Sequence, residues 1–369
     1  MLKSLIALST AAAISLEACT VWILAPDSNE TGKFVLHKTR DWGDGKEIPV
    51  TLLKPEFPEG KYKVLAFSPY MLFNEKGLGM VDTSTPMTTD EPPGLEIINI
   101  GNTMNRVIHS CANVKEGLAM LEAFTKDGTN PKHDNYMLCD PNEAVIVELS
   151  PKHIAYRKVT QGFAVHTNHH IFSESFAISK GKLESNIKSA TRMLITQDAL
   201  ARSLQEKGKI TMEDTMALSR FRDDEKYPGI CPFRNSTVCA ADYIPDSDYP
   251  GLLGTIRICP GPPRYTIAIP VPIGINRIPE VLESGNFGKR SYEIKRNLSD
   301  DENALAQFQQ MEQRFWSEYL EQHSEAKKLL GNNEKDKAME MLQALFDKQV
   351  AEAYNLLKQL LDNKKPEGN

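Results

Sequence analysis

The fold is decided by residues 18–42, which read Ala-Cys-Thr-Val-Trp-Ile-Leu-Ala-Pro-Asp-Ser-Asn-Glu-Thr-Gly-Lys-Phe-Val-Leu-His-Lys-Thr-Arg-Asp-Trp. Two runs rich in β-branched and aromatic residues stand on either side of a turn that contains Pro, Asp, Asn and Gly. This pattern predicts a β-hairpin whose first strand begins at Thr20, directly after Cys19. Because the strands of a hairpin run antiparallel, we expect Arg40 and Asp41 to return to Cys19.

An apolar leader precedes Cys19. Lys3, the apolar run 5–16 and the small residue Ala18 match the charged, apolar and cleavage regions of a secretory signal. The run has about 12 residues, whereas a membrane-spanning helix needs roughly 20. We therefore expect residues 1–18 to be removed and the protein to be exported, periplasmic or secreted. A buried N-terminal helix is the alternative.

Cleavage of the 18–19 bond would give Cys19 a thiol and a free α-amine on one residue. The amine has a reference pKa of about 7.7–8.0, so a useful fraction is neutral near pH 7 and can accept the thiol proton. A lipoprotein signal is the competing hypothesis, since Leu16-Glu17-Ala18-Cys19 has Leu at −3 and Cys at +1. Lipidation would consume the thiol and block the amine, so Cys19 cannot serve both purposes.

Composition narrows the function classes. The chain has 369 residues, 41% hydrophobic and 25% charged, with a formal net charge of −6. This is a globular composition, and the acidic balance argues against a nucleic-acid partner, which requires a basic surface. No transmembrane helix and no metal-ligand spacing are predicted.

The other cysteines indicate little chemistry. Cys111 and Cys139 lie in apolar stretches typical of core residues. Cys231, Cys239 and Cys259 share a segment that we predict to be rich in loops, and in an exported protein one pair could form a disulfide. Connectivity cannot be deduced from the sequence.

The remaining chain alternates predicted strands and helices, which indicates a layered α+β sandwich. The predicted strands after the hairpin are 51–53, 62–67, 136–139, 143–149, 153–157, 162–166, 255–258 and 265–271. The predicted helices are 102–111, 114–124, 185–205, 211–220, 301–330 and 335–362, the last two forming a helical hairpin packed on the body. The predicted organisation is a leader at 1–18, a main domain at 19–299, a helical extension at 300–362 and a frayed tail at 363–369.

An N-terminal thiolate that attacks an amide needs oxyanion donors, a carboxylate that orients the amine, and a cation. Asp41 and Arg40 are the charged candidates, although a surface ion pair would give the same pattern. Asn74, in a turn before a glycine-rich strand start, and Asn168 are the amide candidates. The histidines of 166–170 could act as a base or simply be satisfied at a strand end.

Four motifs together resemble a known family. These are Ala-Cys-Thr before a strand, Lys-Thr-Arg-Asp-Trp about 20 residues later, Asn-Glu-Lys-Gly-Leu-Gly-Met at 74–80, and Thr-Asn-His at 167–169. They are similar to the N-terminal-nucleophile hydrolases with a cysteine nucleophile, the group that contains choloylglycine hydrolases and isopenicillin N acyltransferase-like enzymes. The acyltransferase-like branch is the most similar, and the resemblance covers residues 19–275.

The resemblance implies an αββα four-layer sandwich, cleavage of linear amide C–N bonds, a small-molecule amide substrate and no cofactor. It implies that Cys19 is nucleophile and base, that Asp41 positions the amine, and that Asn74 and Asn168 bind the oxyanion and the amine. The family cation corresponds to Lys38 or Arg40, which alternation places on one strand face. A downstream arginine, Arg222 or preferably Arg234, would complete the site.

The sequence therefore predicts an exported cysteine amidohydrolase, and the substrate stays open among bile-salt conjugates, N-acyl amino acids, penicillin-like amides and short peptides. A lipid-anchored binding protein acylated at Cys19, and a dipeptidase or acyltransferase of the same fold, are the alternatives. The helical extension could also serve a homo-oligomer interface.

Overall fold

The computed structural model describes residues 19–41, 48–55, 57–86, 88–90, 100–127, 133–221, 237–298 and 301–363. The strands are β1 (Thr20–Leu24), β2 (Val35–Asp41), β3 (Val50–Leu53), β4 (Val64–Phe67), β5 (Met71–Asn74), β6 (Gly79–Thr83), β7 (Asp134–Cys139), β8 (Ala144–Leu149), β9 (Ile154–Lys158), β10 (Phe163–His166), β11 (Thr237–Ile244), β12 (Thr255–Cys259) and β13 (Ile269–Pro272). The helices are α1 (Ile100–Ser110), α2 (Val114–Lys126), α3 (Ser173–Phe176), α4 (Leu183–Lys207), α5 (Met212–Ser219), α6 (Pro250–Leu253), α7 (Glu280–Glu283), α8 (Asn286–Asn297), α9 (Glu302–Gly331) and α10 (Lys335–Asp362).

The strands form two antiparallel sheets. The first has the order β10-β1-β2-β11-β12-β13, and the second runs in chain order from β3 to β9. The predicted first hairpin is confirmed, since β1 and β2 pair antiparallel with Thr20 opposite Thr39. Cys19 therefore stands at the start of a strand that has neighbours on both sides, β2 and β10.

Each strand of that hairpin is buried on both faces, which explains its nearly continuous apolar sequence. Val21 and Ile23 point into the core between the two sheets, whereas Trp22 and Leu24 pack on the other side, against α4 and α5. Helices α1 and α2 cover the outer face of the second sheet. The layers are thus helix, sheet, sheet and helix, and the predicted α+β αββα sandwich is confirmed.

The helices predicted at 301–330 and 335–362 are confirmed as α9 and α10. Phe308, Phe315, Phe346 and Val350 belong to the same buried cluster as the residues between the sheets. Each fully buried side chain of this size contributes roughly 1.5–3 kcal/mol. The two helices therefore complete the main core at the β13 edge rather than lying loosely on it.

The described part of the segment predicted to be rich in loops, residues 237–259, is less irregular than its sequence predicts. Strand β11 lies between β2 and β12, although Ala-Ala-Asp at its centre is a poor strand signal. Cys239 and Cys259 both carry free thiols, and the strand pleat places them on opposite faces of the sheet, in separate apolar clusters. The structure therefore contradicts a disulfide between Cys239 and Cys259. Cys231 lies outside the described residues.

Two smaller differences concern the C-terminal half. The strand predicted at 265–271 begins only at Ile269, because Pro262 and Pro263 lead into a single 3₁₀ turn. Helices α7 and α8 were not expected from the sequence pattern. In the part of the chain that the structure describes, no helix has both the length and the apolar character required to cross a membrane.

Candidate active site

Cys19 and Asn168 meet across two neighbouring strands. Strands β1 and β10 pair antiparallel with Val21 opposite His166, and continuing that register brings Asn168 beside Cys19. The Cys19 backbone nitrogen donates a hydrogen bond to Asn168 Oδ1 at 2.7 Å. In the full-length chain this nitrogen belongs to the 18–19 peptide bond, and in a chain that begins at Cys19 it would be the α-amine.

The Asn168 side chain is held at both ends. Its Nδ2 donates to the carbonyl oxygen of Ser84 at 2.9 Å, just beyond β6. Its Oδ1 accepts a second hydrogen bond, from Arg192 Nη2 at 2.7 Å. The sequence analysis missed Arg192, since one arginine within a 25-residue helix carries no motif. The contacts turn the Asn168 oxygen, rather than its nitrogen, toward Cys19.

Two cationic side chains of strand β2, those of Lys38 and Arg40, lie near the Cys19 thiol. Lys38 Nζ is 5.6 Å and Arg40 Cζ is 3.4 Å from the centre of the Tyr70 ring, so both side chains leave β2 on one face, as alternation predicts. Lys38 also binds the carboxylate of Asp82 and donates to the Asp82 carbonyl oxygen at 2.6 Å. Burial is the largest single influence on Lys38 and opposes its charge, but the charges of Asp82 and Cys19 and the hydrogen bond to Asp82 together outweigh burial, so the pKa of Lys38 is raised.

Cys19 is buried, with only 3% of the residue exposed. Burial raises its pKa above the usual value; the positive charges of Lys38 and Arg40 oppose this rise, and the negative charges of Asp82 and Asp41 add to it. The net direction is upward, so the thiol is protonated near neutral pH. A base must therefore take its proton before the sulfur can attack.

Asp41, the last residue of β2, is buried at this end of the sheet. Its pairing partner β11 has an extra residue between Thr237 and Cys239, opposite Arg40 and Asp41. Such bulges bend a strand and redirect side chains, and they are common beside active sites. The structure thus brings Cys19, Arg40, Asp41 and Asn168 together, and the predicted hairpin accounts for the position of Arg40 and Asp41.

Hydrogen bonds to residues of the second sheet hold the segment that carries Asn168 in place. The carbonyl oxygen of Thr167 accepts from Thr83 Oγ1 at 3.0 Å and lies 2.8 Å from His166 Nδ1. His166 Nε2 is 2.9 Å from Glu148 Oε1, which also accepts from the Ile171 amide at 2.6 Å. Burial alone would raise the pKa of Glu148, but the hydrogen bond and charge of His166 lower it. His166 therefore links the sheets instead of reaching the thiol.

Asn74 has a different place from the one expected. It ends β5, whereas Tyr70, which contacts both cations, stands at the other end of that strand. Its Nδ2 donates to the carbonyl oxygens of Ile108 at 2.7 Å and Cys111 at 2.8 Å. Its Oδ1 accepts the backbone amides of the following turn, from Lys76 at 3.0 Å and Leu78 at 3.1 Å. Its carboxamide is committed to the turn and to α1, so the expected oxyanion role is corrected to a structural one.

A Ser–His–Asp chain lies elsewhere on β2 and is structural. Ser219 Oγ is 3.0 Å from His37 Nε2, and His37 Nδ1 is 2.7 Å from Asp242 Oδ1. All three residues are fully buried, and Trp22 stacks on His37 at 3.6 Å. The Ser219 hydroxyl donates to the Thr215 carbonyl oxygen at 3.1 Å. The Ser219 hydroxyl already donates its proton and is fully buried, so it is not placed to act as a nucleophile. The Ser–His–Asp chain instead connects α5 to the sheet.

The predicted downstream arginines, Arg222 and Arg234, lie outside the described residues, as do the leader at 1–18 and the tail beyond 363. Among the described side chains, no group of three or more His, Cys, Asp or Glu is placed to share a metal ion.

The matching family model, together with the four-layer αββα fold, places the chain in the N-terminal-nucleophile hydrolase superfamily. Within it, the chain belongs to the acyl-coenzyme A:6-aminopenicillanic acid acyl-transferase family, whose model matches residues 30–243. The match includes Asp41, Asn168 and Arg192 and begins after Cys19. The members of this family are enzymes.

The structure is similar to two solved enzymes at low sequence identity. One is a mutant of conjugated bile acid hydrolase from Clostridium perfringens, with 11% identity, coverage of 71% of this chain and 95% of that chain, and a TM-score of 0.46. The other is penicillin V acylase from Agrobacterium tumefaciens, with 14% identity, coverage of 69% and 86%, and a TM-score of 0.40. Among curated proteins, no sequence matches this chain.

Proposed function

We propose that this protein is an exported amidohydrolase that loses residues 1–18 and cleaves linear amide C–N bonds with Cys19 as the nucleophile. One observation carries the proposal: the nitrogen that cleavage would convert into an α-amine already donates to Asn168 Oδ1 at 2.7 Å, beside a buried thiol. The family assignment supports acyl chemistry of this kind.

The raised pKa of the Cys19 thiol makes a base necessary. The α-amine of the same residue is the nearest candidate, and its reference pKa of about 7.7–8.0 leaves a useful neutral fraction near pH 7. An amine that donates one hydrogen to Asn168 keeps its lone pair for the thiol proton. Direct transfer, or transfer through one water, then forms the attacking thiolate.

The reaction would proceed in two stages. The Cys19 sulfur attacks the amide carbonyl carbon while its proton moves to the α-amine, and the negative charge passes to the carbonyl oxygen. Lys38 and Arg40, on the thiol side of β2, favour that charge electrostatically. Collapse breaks the C–N bond, the α-ammonium returns its proton to the departing amine, and a thioester remains. Water then attacks the thioester carbonyl carbon, with the α-amine again as base. The C–S bond breaks, the α-ammonium returns the proton to the Cys19 sulfur, and the carboxylic acid leaves.

Acyl transfer is the second candidate function, because the family takes its name from an acyl-transferase. The thioester would be the same, and an acceptor amine would replace water in the second stage. The lipoprotein hypothesis is less compatible with the site. Cys19 is only 3% exposed, so a diacylglyceryl group on its sulfur would require the residue to move out of the core. Acylation of its nitrogen would alter the contact with Asn168.

The test begins with the full-length chain expressed in an exporting host and examined by intact mass and N-terminal sequencing. A chain that starts at free Cys19 is expected, and amine release from a panel of acyl amides is then measured. We expect Cys19→Ala to lower turnover by at least about 10³-fold with an unchanged melting temperature. Cys111→Ala, which removes another buried thiol, is the matched control and should retain turnover per folded molecule.

The acyl-enzyme provides a direct readout. Rapid quenching of the mature enzyme with substrate should show a mass increase of one acyl group on the peptide that begins at Cys19. A fully active Cys19→Ala variant, or a mature chain that carries lipid on Cys19, would refute the proposal.

A further inference from the structure

We propose that the outer face of α4, together with the end of α3, is a docking surface for a membrane that contains anionic lipids. The surface consists of four apolar residues and three lysines, which we call the α4 outer patch: Phe176, Leu183, Ile187, Leu194, Lys180, Lys182 and Lys188. The inference goes beyond the proposed amide chemistry and does not depend on it. It concerns the surface on which the protein is held, not the bond that it cleaves.

The apolar residues of the α4 outer patch are unusually exposed. In the part of the chain that the structure describes, every large apolar residue that is more than half exposed belongs to this patch: Phe176 at 60%, Leu183 at 76%, Ile187 at 55% and Leu194 at 60%. Single exposed apolar residues are normal on a protein surface, but a group of them marks an interaction site. The grouping therefore requires an explanation.

Three of these residues form one stripe along α4, which runs from Leu183 to Lys207. An α-helix turns by about 100° per residue, so positions 183, 187 and 194 fall within an arc of about 40°. The opposite side of this half of the helix carries buried polar residues, namely Ser189, Arg192 and Thr196. A surface helix normally turns its apolar stripe toward the core. Here the order is reversed, so packing within this chain does not account for the stripe.

Phe176 extends the apolar stripe beyond the start of α4. It is the last residue of α3, and residues 177–182 connect the two helices. The Ser179 amide donates to the Phe176 carbonyl oxygen at 3.2 Å, which makes a tight turn. Gly181 then lies against Asn186 in the first turn of α4, where a Cβ on the glycine would be 2.5 Å from the Asn186 Oδ1. The compact connection keeps Phe176 close to the apolar stripe.

The charge of the patch identifies its partner. Lys180, Lys182 and Lys188 are exposed, and residues 176–194 contain one acidic residue, Glu184. The patch is thus basic on a chain whose formal net charge is −6. Lysines beside exposed apolar residues are typical of helices that lie in a bilayer interface, where the apolar side chains enter the headgroup boundary and the lysines attract anionic headgroups.

The same charge disfavours a second copy of this chain as the partner. In a two-fold dimer a surface patch faces itself, so the lysines of one copy would meet those of the other. Like charges brought together in an interface oppose association. An anionic bilayer instead supplies an apolar phase and the opposite charge at one surface.

The inner face of α4 defines how the helix would lie. The Thr167 hydroxyl donates to the Ser189 carbonyl oxygen at 2.9 Å, which holds α4 on the body of the protein. The helix would therefore lie along the lipid surface and not enter it. The inner face also contacts Asn168, which accepts from the Cys19 nitrogen. A helix with its side chains is about 10–12 Å across, so docking would hold the candidate active site roughly one helix diameter from the lipid.

The test is flotation of the protein with lipid vesicles on a density gradient. The vesicles contain either equal parts of phosphatidylglycerol and phosphatidylcholine or phosphatidylcholine alone. Three variants change the patch: Leu183→Ser with Ile187→Ser, Lys180→Gln with Lys182→Gln, and Leu194→Ser alone. The matched control for the last is Leu320→Ser, since Leu320 is a 49% exposed leucine within α9. Intact mass confirms that all chains share one N-terminus, so residues 1–18, where present, contribute equally to every sample.

We expect the unmodified chain to float with the phosphatidylglycerol vesicles and to bind phosphatidylcholine alone at least about tenfold more weakly. Raising the salt from about 0.1 M to about 1 M shortens the screening length from about 10 Å to about 3 Å and should release the protein. The apolar double variant should weaken binding at least about tenfold and the lysine double variant about 10- to 30-fold. Leu194→Ser should weaken binding, whereas Leu320→Ser should not. The melting temperature should stay unchanged in all of them, because the altered side chains are exposed.

Three results would overturn the inference. The first is the absence of vesicle binding, or binding that none of the patch variants weakens. The second is binding that depends on the lysines but not on the apolar residues, which would show electrostatic adsorption alone. The third is a patch-dependent dimer in sedimentation equilibrium without vesicle binding, which would assign the patch to a second copy. Flotation requires no amide turnover, so an inactive chain that binds vesicles would reject only the proposed function, and an active chain that does not bind would reject only the docking surface.

Discussion

Removing the positive charge of Lys38 tests most directly how the buried charges of this site affect stability and the reactivity of Cys19. The Lys38 ammonium pairs with the Asp82 carboxylate across the two sheets, and their side chains are only 1% and 3% exposed. Lys38→Met preserves most of the side-chain volume but leaves the carboxylate buried without this partner. The same change removes the hydrogen bond to the Asp82 carbonyl oxygen.

The expected cost follows from that burial. Breaking a buried ion pair by removing one partner typically costs about 3–5 kcal/mol of unfolding free energy, because an uncompensated charge stays in the core. Removing both charges, in Lys38→Met with Asp82→Leu, should bring stability back to within about 1–2 kcal/mol of the unmodified chain. The exposed pair of Arg202 and Asp198 is the matched control, and Arg202→Met should cost about 0–1 kcal/mol.

Urea denaturation of the mature chains measures these differences, with the m-value checked for constancy. Cys19 alkylation gives an independent readout, since the charge of Lys38 opposes the rise in the pKa of the thiol more strongly than the charge of Asp82 adds to it. The double variant should therefore be stable and yet react more slowly at Cys19 than the unmodified chain. A single variant that loses less than about 1 kcal/mol, or a double variant as unstable as the single one, would refute the reasoning.

Three further predictions concern residues around the site. Asn74→Ala should lower the free energy of unfolding by about 2–4 kcal/mol, because the carbonyl oxygens of Ile108 and Cys111 lose their donor. Turnover per folded molecule should persist, and a stable but inactive variant would restore the oxyanion role. Ser219→Ala should lower stability by about 1 kcal/mol without changing activity, and a large loss of kcat would contradict its structural role. Burial lowers the folded-state pKa of His169 and His170 to about 4, so the unfolded chain binds more protons between about pH 6.5 and 4. Stability should be complete above that window and fall by up to about 3 kcal/mol per histidine as the pH decreases through it, with a shallower fall in His170→Gln; a flat profile from pH 7 to 4.5 would contradict this.

Local patterns were sufficient to predict many of the strands and helices of this fold. The β-branched and aromatic runs after Cys19 and the helical period at 301–330 both reappear in the structure. These signals depend on neighbours within a turn or a strand, so they act before distant parts of the chain meet. Strand β11 was missed because its stability comes from β2 and β12 on either side, not from its own residues.

One part of the site follows from the local sequence, and the other part follows only from the tertiary structure. The sequence by itself determined that Cys19 begins a strand and that Arg40 and Asp41 return beside it, because a hairpin is a local structure. Only the tertiary structure decided that Asn168, 149 positions away, and Arg192 would share one oxygen with the Cys19 nitrogen. Asn74 and Asn168 are the same residue type, and an asparagine can satisfy its own turn or a distant donor equally well. Which of these it does is settled by the packing of strands and helices that are far apart in the chain.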